Sequence, residues 1–137
     1  WARDNTVTVT IDELKRFTRD GKIQCHRAIA PSLQAAFAEV GRRNLADRIL
    51  TWEGCWVPRH MGWNASRPLS RHSWAIAFDI NAHWNAYGEA PKSKGEVGNV
   101  VELVPIFESF GFAWGGYFRP DSLRDGMHFE FCKPSTS

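Results

Sequence analysis

No apolar run in these 137 residues approaches the roughly 18 residues that a bilayer crossing needs, so membrane insertion is not expected. Cysteine is sparse. Cys25, Cys55 and Cys132 make an odd count without a CxxC pair, which excludes a disulfide framework and a cysteine-based zinc site but leaves one disulfide open. Charge of one sign is lacking too: 17 basic against 15 acidic residues give a net charge of +2, and no basic stripe of the kind nucleic acid requires is present. The nearest cluster, Arg42, Arg43 and Arg48, reads as a solvated helix end. Repeats and low-complexity segments are absent. The chain opens on Trp1 without a signal-peptide pattern, which suggests a trimmed or processed chain and leaves open a targeting segment outside it.

What is present is enough for a core. Hydrophobic residues make up 43%, aromatics 13% and charged residues 23%, with seven Trp, a composition that excludes wholesale disorder. The length suits a single domain over residues 1–137. A chain of this size buries roughly two-thirds of the surface its unfolded form exposes.

Hydrophobic periodicity divides the chain into three stretches. Trp1 to about Leu50 reads as helical, most clearly over Pro31–Val40, where Leu33, Ala36, Phe37 and Val40 share one face and Gly41 offers a stop. Ile49–Val57 reads as strand with Gly54 as a turn or bulge. Ala75–Asn81 alternates: Ile76, Phe78 and Ile80 point one way, and Ala75, Ala77, Asp79 and Asn81 the other. Residues 87–99, with Gly88, Pro91, Gly95 and Gly98, read as a loop. Leu103, Ile106, Phe107 and Phe110 make a helical face with Pro105 near its first turn and Gly111 at its end. Met127–Phe131 alternates again, with His128 and Glu130 on the polar face. The sum is one mixed helix-and-strand domain.

The two alternating strands carry the chemistry. Asp79 stands on a half-buried strand beside only Ala75 and Ala77, and an unpaired buried charge is costly. His72 precedes that strand and His128 sits on the other, so two His and one Asp offer the donor types that Zn²⁺ accepts, with a fourth position for water. Asp125, three residues before His128, is placed to take a proton from such a water. Spacing alone leaves both readings open, because each His can equally be a hydrogen-bonded structural residue and Asp125 a turn residue. A non-haem iron oxygenase shares the two-His, one-carboxylate set but belongs on a many-stranded jelly roll, which the strong helices here oppose.

Four ordered motifs carry a family resemblance. Ser70-Arg-His72-Ser-Trp-Ala75-Ile-Ala77-Phe-Asp79-Ile-Asn81 resembles the SxHxxGxAxDxN signature of the M15 metallopeptidases, the D-alanyl-D-alanine carboxypeptidases and L-alanyl-D-glutamate endopeptidases of peptidoglycan stem peptides. Asp125-Gly-Met-His128-Phe-Glu130 resembles the family's second motif, Phe112-Ala-Trp114-Gly-Gly116 its FxWGG stretch, and Val57-Pro-Arg59 a substrate-side Pro-Arg pair. The resemblance covers about residues 54–131.

The resemblance implies one zinc per chain held by His72, Asp79 and His128, with Asp125 as general base and acid. It implies that Arg59 orients the substrate, with Ser70 and Trp114 on the substrate side. The implied fold, shared with the Hedgehog signalling domain, is α+β: a small antiparallel sheet with helices packed on one side. The implied activity is hydrolysis of an amide in a peptidoglycan stem peptide, L-Ala–D-Glu or D-Ala–D-Ala, by a monomer working in the periplasm or cell wall, secreted or released as a phage lysin. The alternative of the same fold is a zinc-containing wall-binding module without turnover, against which the presence of Asp125 argues. Two departures stand out: Ala75 replaces the usual Gly, and Asp125 stands where some members carry Glu. Beside the motifs, Glu130 shares the face of His128 and is a candidate to orient it by a hydrogen bond; His60 is a candidate for the cleft, and His26 and His83 read as structural and exposed.

Overall fold

A computed structural model of the chain describes residues 6–56 and 76–131. Its elements run β1 (Thr6–Thr10), β2 (Lys22–His26), α1 (Ala30–Arg42), β3 (Trp52–Trp56), β4 (Ile76–Ile80), α2 (Val104–Ser109), β5 (Phe112–Trp114) and β6 (His128–Phe131), joined by loops and short 3-10 turns. Among the described residues β1 and β2 form a two-stranded antiparallel sheet, and the other strands form an antiparallel sheet in the order β3-β4-β6-β5. The class is α+β.

The helical reading of the first fifty residues needs correction. Among the described residues of this stretch α-helix is confined to α1, beside short 3-10 turns, and residues 6–26 hold two paired strands instead. The physical reason is visible in retrospect, since Thr-Val-Thr-Val-Thr alternates with period two in β-branched residues, and Lys22–His26 buries Ile23 and Cys25 at alternate positions. Helix α1 itself begins as expected, with Pro31 in its first turn and Leu33, Ala36, Phe37 and Val40 buried. It does not stop at Gly41 but continues to Arg42, where Arg42 and Arg43 both reach back to Glu39. Gly54 does form a bulge: the pairing of β3 with β4 shifts register between Trp52 and Gly54, whose φ of 112° suits a residue without a Cβ. Residues 85–103 are loop and turn, as their glycines and Pro91 suggest.

Both helices cover one face of the four-stranded sheet. Phe78 on β4 stacks on Phe129 on β6 with ring centroids 5.3 Å apart, and Phe37 of α1 and Phe107 of α2 close over them at 5.6 Å and 4.8 Å. Each of these four rings is fully buried, and burial of such a side chain contributes about 1.5–3 kcal/mol. This aromatic layer fixes which residues of β4 and β6 face away from it. No helix among the described residues is long and apolar enough to cross a membrane.

Candidate active site

Alternation along a strand means that once Phe78 and Phe129 face the helices, Asp79, His128 and Glu130 must face the other way. The antiparallel register then sets Asp79 directly opposite His128, and Ala77 opposite Glu130. Asp79 Oδ1 lies 3.2 Å from His128 Nδ1, while Glu130 Oε1 lies 2.8 Å from His128 Nε2. The imidazole is thus held between two carboxylates and is only 4% exposed. Burial by itself lowers its pKa, but the hydrogen bonds and charges of Asp79 and Glu130 outweigh that and hold it at about 9. The ring of Phe118 packs beside it, with centroids 5.9 Å apart.

Asp125 reaches the same place from the turn before β6. Its backbone N–H donates to the Gly115 carbonyl, and its own carbonyl accepts the N–H of His128, both at 3.0 Å. Gly115 lets these segments meet: a Cβ there would lie 2.4 Å from the Asp125 carbonyl oxygen and 3.2 Å from the His128 Cβ. Burial pushes the Asp125 carboxyl up to about 6; the charge of His128 opposes this, and Asp79 and Glu130 add to it. Its Oδ1 is buried with no hydrogen-bond partner among the described residues.

The neighbouring Trp114 is buried in the core cluster, and its indole N–H donates to the Gly126 carbonyl at 2.9 Å. The ring expected on the substrate side therefore also ties the turn carrying Asp125 to β5. Sequence reasoning assigned no role to Asn81, yet it is the anchor of β4. Its Oδ1 accepts the N–H groups of Leu50 and Thr51, its Nδ2 donates to the carbonyls of Arg48 and Gly98, and its backbone is left-handed at φ 55°. Asn85 extends the network by donating to the Asn81 and Gly98 carbonyls. The available signal was an Asn ending a strand ahead of a turn, a position where this residue tolerates positive φ.

His72, Ser70, Arg59 and His60 lie outside the described residues, as does Cys132. His83 is exposed, and His26 Nδ1 accepts the N–H of Ala28. Cys25 and Cys55 are free, and burial raises both thiols, Cys25 to about 11 and Cys55 further, with Cys25 and Asp79 adding to the shift at Cys55. Neither offers a thiolate near neutral pH.

The residues present fit a divalent ion. Two ligands bonded to one tetrahedral zinc at roughly 2.1 Å stand about 3.4 Å apart, close to the 3.2 Å between Asp79 Oδ1 and His128 Nδ1. The second nitrogen of His128 is engaged by a carboxylate, the usual arrangement behind a metal-bound imidazole. The buried, unpartnered Oδ1 of Asp125 adds an acceptor beside the pair. Among the described residues no three such side chains form a complete set.

A family model described as D-alanyl-D-alanine carboxypeptidase matches residues 63–131, half of the chain. The match contains Asp79, Asp125, His128 and Glu130 together with His72, Ser70 and Trp114; Arg59 falls outside it. No curated protein and no solved structure matches the chain. The matched span runs from ahead of β4 to the end of β6, the two strands on which the polar cluster is built, and on that match the chain belongs to the M15 peptidases.

Proposed function

We propose that this peptidase is zinc-dependent and hydrolyses an amide bond in peptidoglycan stem peptides, either L-Ala–D-Glu within the stem or the terminal D-Ala–D-Ala. The observation that carries the reading is Asp125: a half-buried carboxyl whose Oδ1 is buried without a hydrogen-bond partner among the described residues, held near pKa 6 beside the Asp79–His128 pair. Held by His72, Asp79 and His128, one zinc would polarise a water and the scissile carbonyl. Asp125 takes the proton from the attacking water and later delivers it to the leaving amine, a task for which a pKa close to the working pH is favourable. Arg59 supplies a guanidinium for the substrate carbonyl or a stem carboxylate, and Ser70 and Trp114 border the peptide. Such a substrate places the working site in the periplasm or the wall, reached by secretion or as a phage lysin, and the protein acts as a monomer.

The test is digestion of purified peptidoglycan by the zinc-loaded protein, followed by mass spectrometry of the muropeptides. New stem fragments that vanish on chelation and return with zinc are expected; the fragment masses assign the bond. A zinc-loaded protein that binds the wall but releases no fragment would establish the wall-binding module instead.

A further inference from the structure

We propose that Glu130 is a positioning residue for the metal centre: it takes the Nε2–H of His128, fixes that tautomer, and so leaves Nδ1 as the nitrogen directed at Asp79. This rests on the zinc reading above, and it concerns a residue outside the set that would touch the ion. Strand geometry supplies the contact. His128 and Glu130 are two residues apart on β6, on the same face and about 6.6 Å along the chain, so a glutamate side chain can lie back along the strand to the imidazole. The observed separation is 2.8 Å, shorter than the 3.2 Å on the Asp79 side.

The surroundings of Glu130 direct it to this one ring. Strand β6 lies between β4 and β5, and the residues opposite Glu130 are Ala77 on one side and Ala113 on the other. Both cross-strand neighbours are methyl groups that offer no hydrogen bond and leave space for the carboxylate to fold toward His128. An acid on an internal strand is costly unless it is hydrogen-bonded, and here the imidazole meets that need. The consequence for His128 follows from its donor inventory. A carboxylate only accepts, so the nitrogen facing Glu130 carries hydrogen. Both ring nitrogens face a carboxylate, so in the metal-free protein both can carry hydrogen; a cation seated between Nδ1 and Asp79 Oδ1 displaces the Nδ1 hydrogen and leaves the one that Glu130 holds on Nε2. Without Glu130 the neutral ring is free to place its hydrogen on Nδ1 and satisfy Asp79 directly, which removes the ligand.

The experiment measures zinc affinity by chelator competition and the imidazole tautomer by ¹⁵N NMR, in the parent and in the Glu130→Ala and Glu130→Gln variants. Glu130→Ala is expected to weaken zinc binding about 10- to 100-fold. Glu130→Gln, whose side-chain oxygen can still accept from Nε2–H, should retain most of the affinity. In the zinc-loaded parent the spectrum should show a protonated, exchange-protected Nε2, and that protection should be lost in Glu130→Ala. A parent in which Nε2 carries no hydrogen overturns the proposal even if neither variant folds. So does a Glu130→Ala variant that binds zinc as tightly as the parent. A parent that takes up no stoichiometric zinc overturns the metal reading itself, and the proposal with it.

Discussion

Asp79 and His128 are 49 residues apart in sequence and directly opposite in the β4–β6 ladder, with Oδ1 and Nδ1 3.2 Å apart. The pair is a product of register: a one-residue slip would send one of the two to the helix side of the sheet. Replacing Asp79 by Ala should therefore leave the sheet paired but abolish stoichiometric zinc and, with it, peptidase activity. Metal content after dialysis checks this, and full occupancy in the variant would remove Asp79 from the ligand set.

Asp125 Oδ1 has no hydrogen-bond partner among the described residues and lies outside the proposed ligand set, so its loss should separate chemistry from metal binding. In Asp125→Asn, zinc should stay bound while the rate of stem-peptide cleavage falls roughly 10²- to 10⁴-fold, the span attributed to a positioned proton-transfer group. Steady-state kinetics on a defined muropeptide, with metal content measured on the same sample, is the readout.

The pKa shifts give the metal-free protein a pH dependence of definite sign. His128 rises from 6.5 to about 9 on folding, so the folded state holds its proton more tightly; that stabilisation is complete below about pH 6.5 and lost as pH rises through about 9. Asp125 rises from 3.8 to about 6, so its contribution is present below about pH 4 and gone above about pH 6. Thermal unfolding in excess chelator should show the Tm difference between parent and Asp125→Asn shifting against the parent from pH 4 to 6, then remaining flat. A difference that grows in the parent's favour over that range contradicts the assignment.

Gly115 makes a close backbone contact beneath the site. A methyl group there meets the Asp125 carbonyl oxygen at 2.4 Å, and backbone cannot rotate away as a side chain would. Gly115→Ala should cost about 1–3 kcal/mol in stability and displace Asp125 enough to lower activity. Denaturant unfolding together with the cleavage assay tests both halves.

Asn81 should show a purely structural phenotype. Asn81→Ala leaves the part-buried N–H groups of Leu50 and Thr51 and the carbonyl of Arg48 without their Asn81 partner, while the Gly98 carbonyl keeps Asn85. A loss of at least about 2 kcal/mol is expected, since each buried unsatisfied group costs roughly 1–3 kcal/mol. At temperatures where the variant stays folded, its zinc content should match the parent's.

Local pattern alone determined a good part of this protein. Period-two alternation placed Asp79, His128 and Glu130 on the polar faces of two strands, and the 3.6-residue period with Pro31 and Pro105 in first turns set the apolar faces of both helices. These signals are legible because each arises within one element. Strands β1 and β2 were misread although Thr6–Thr10 alternates plainly, and β5 has three residues, too few to display a period. The tertiary structure alone decided the rest: that Asp79 meets His128 rather than another residue of β6, that Ala77 and Ala113 flank Glu130, that Gly115 admits Asp125, and that Asn81 holds the end of β4. Those are relations between segments far apart in the chain, set by how the Phe37, Phe78, Phe107 and Phe129 layer packs, and packing of that kind leaves no period in the sequence.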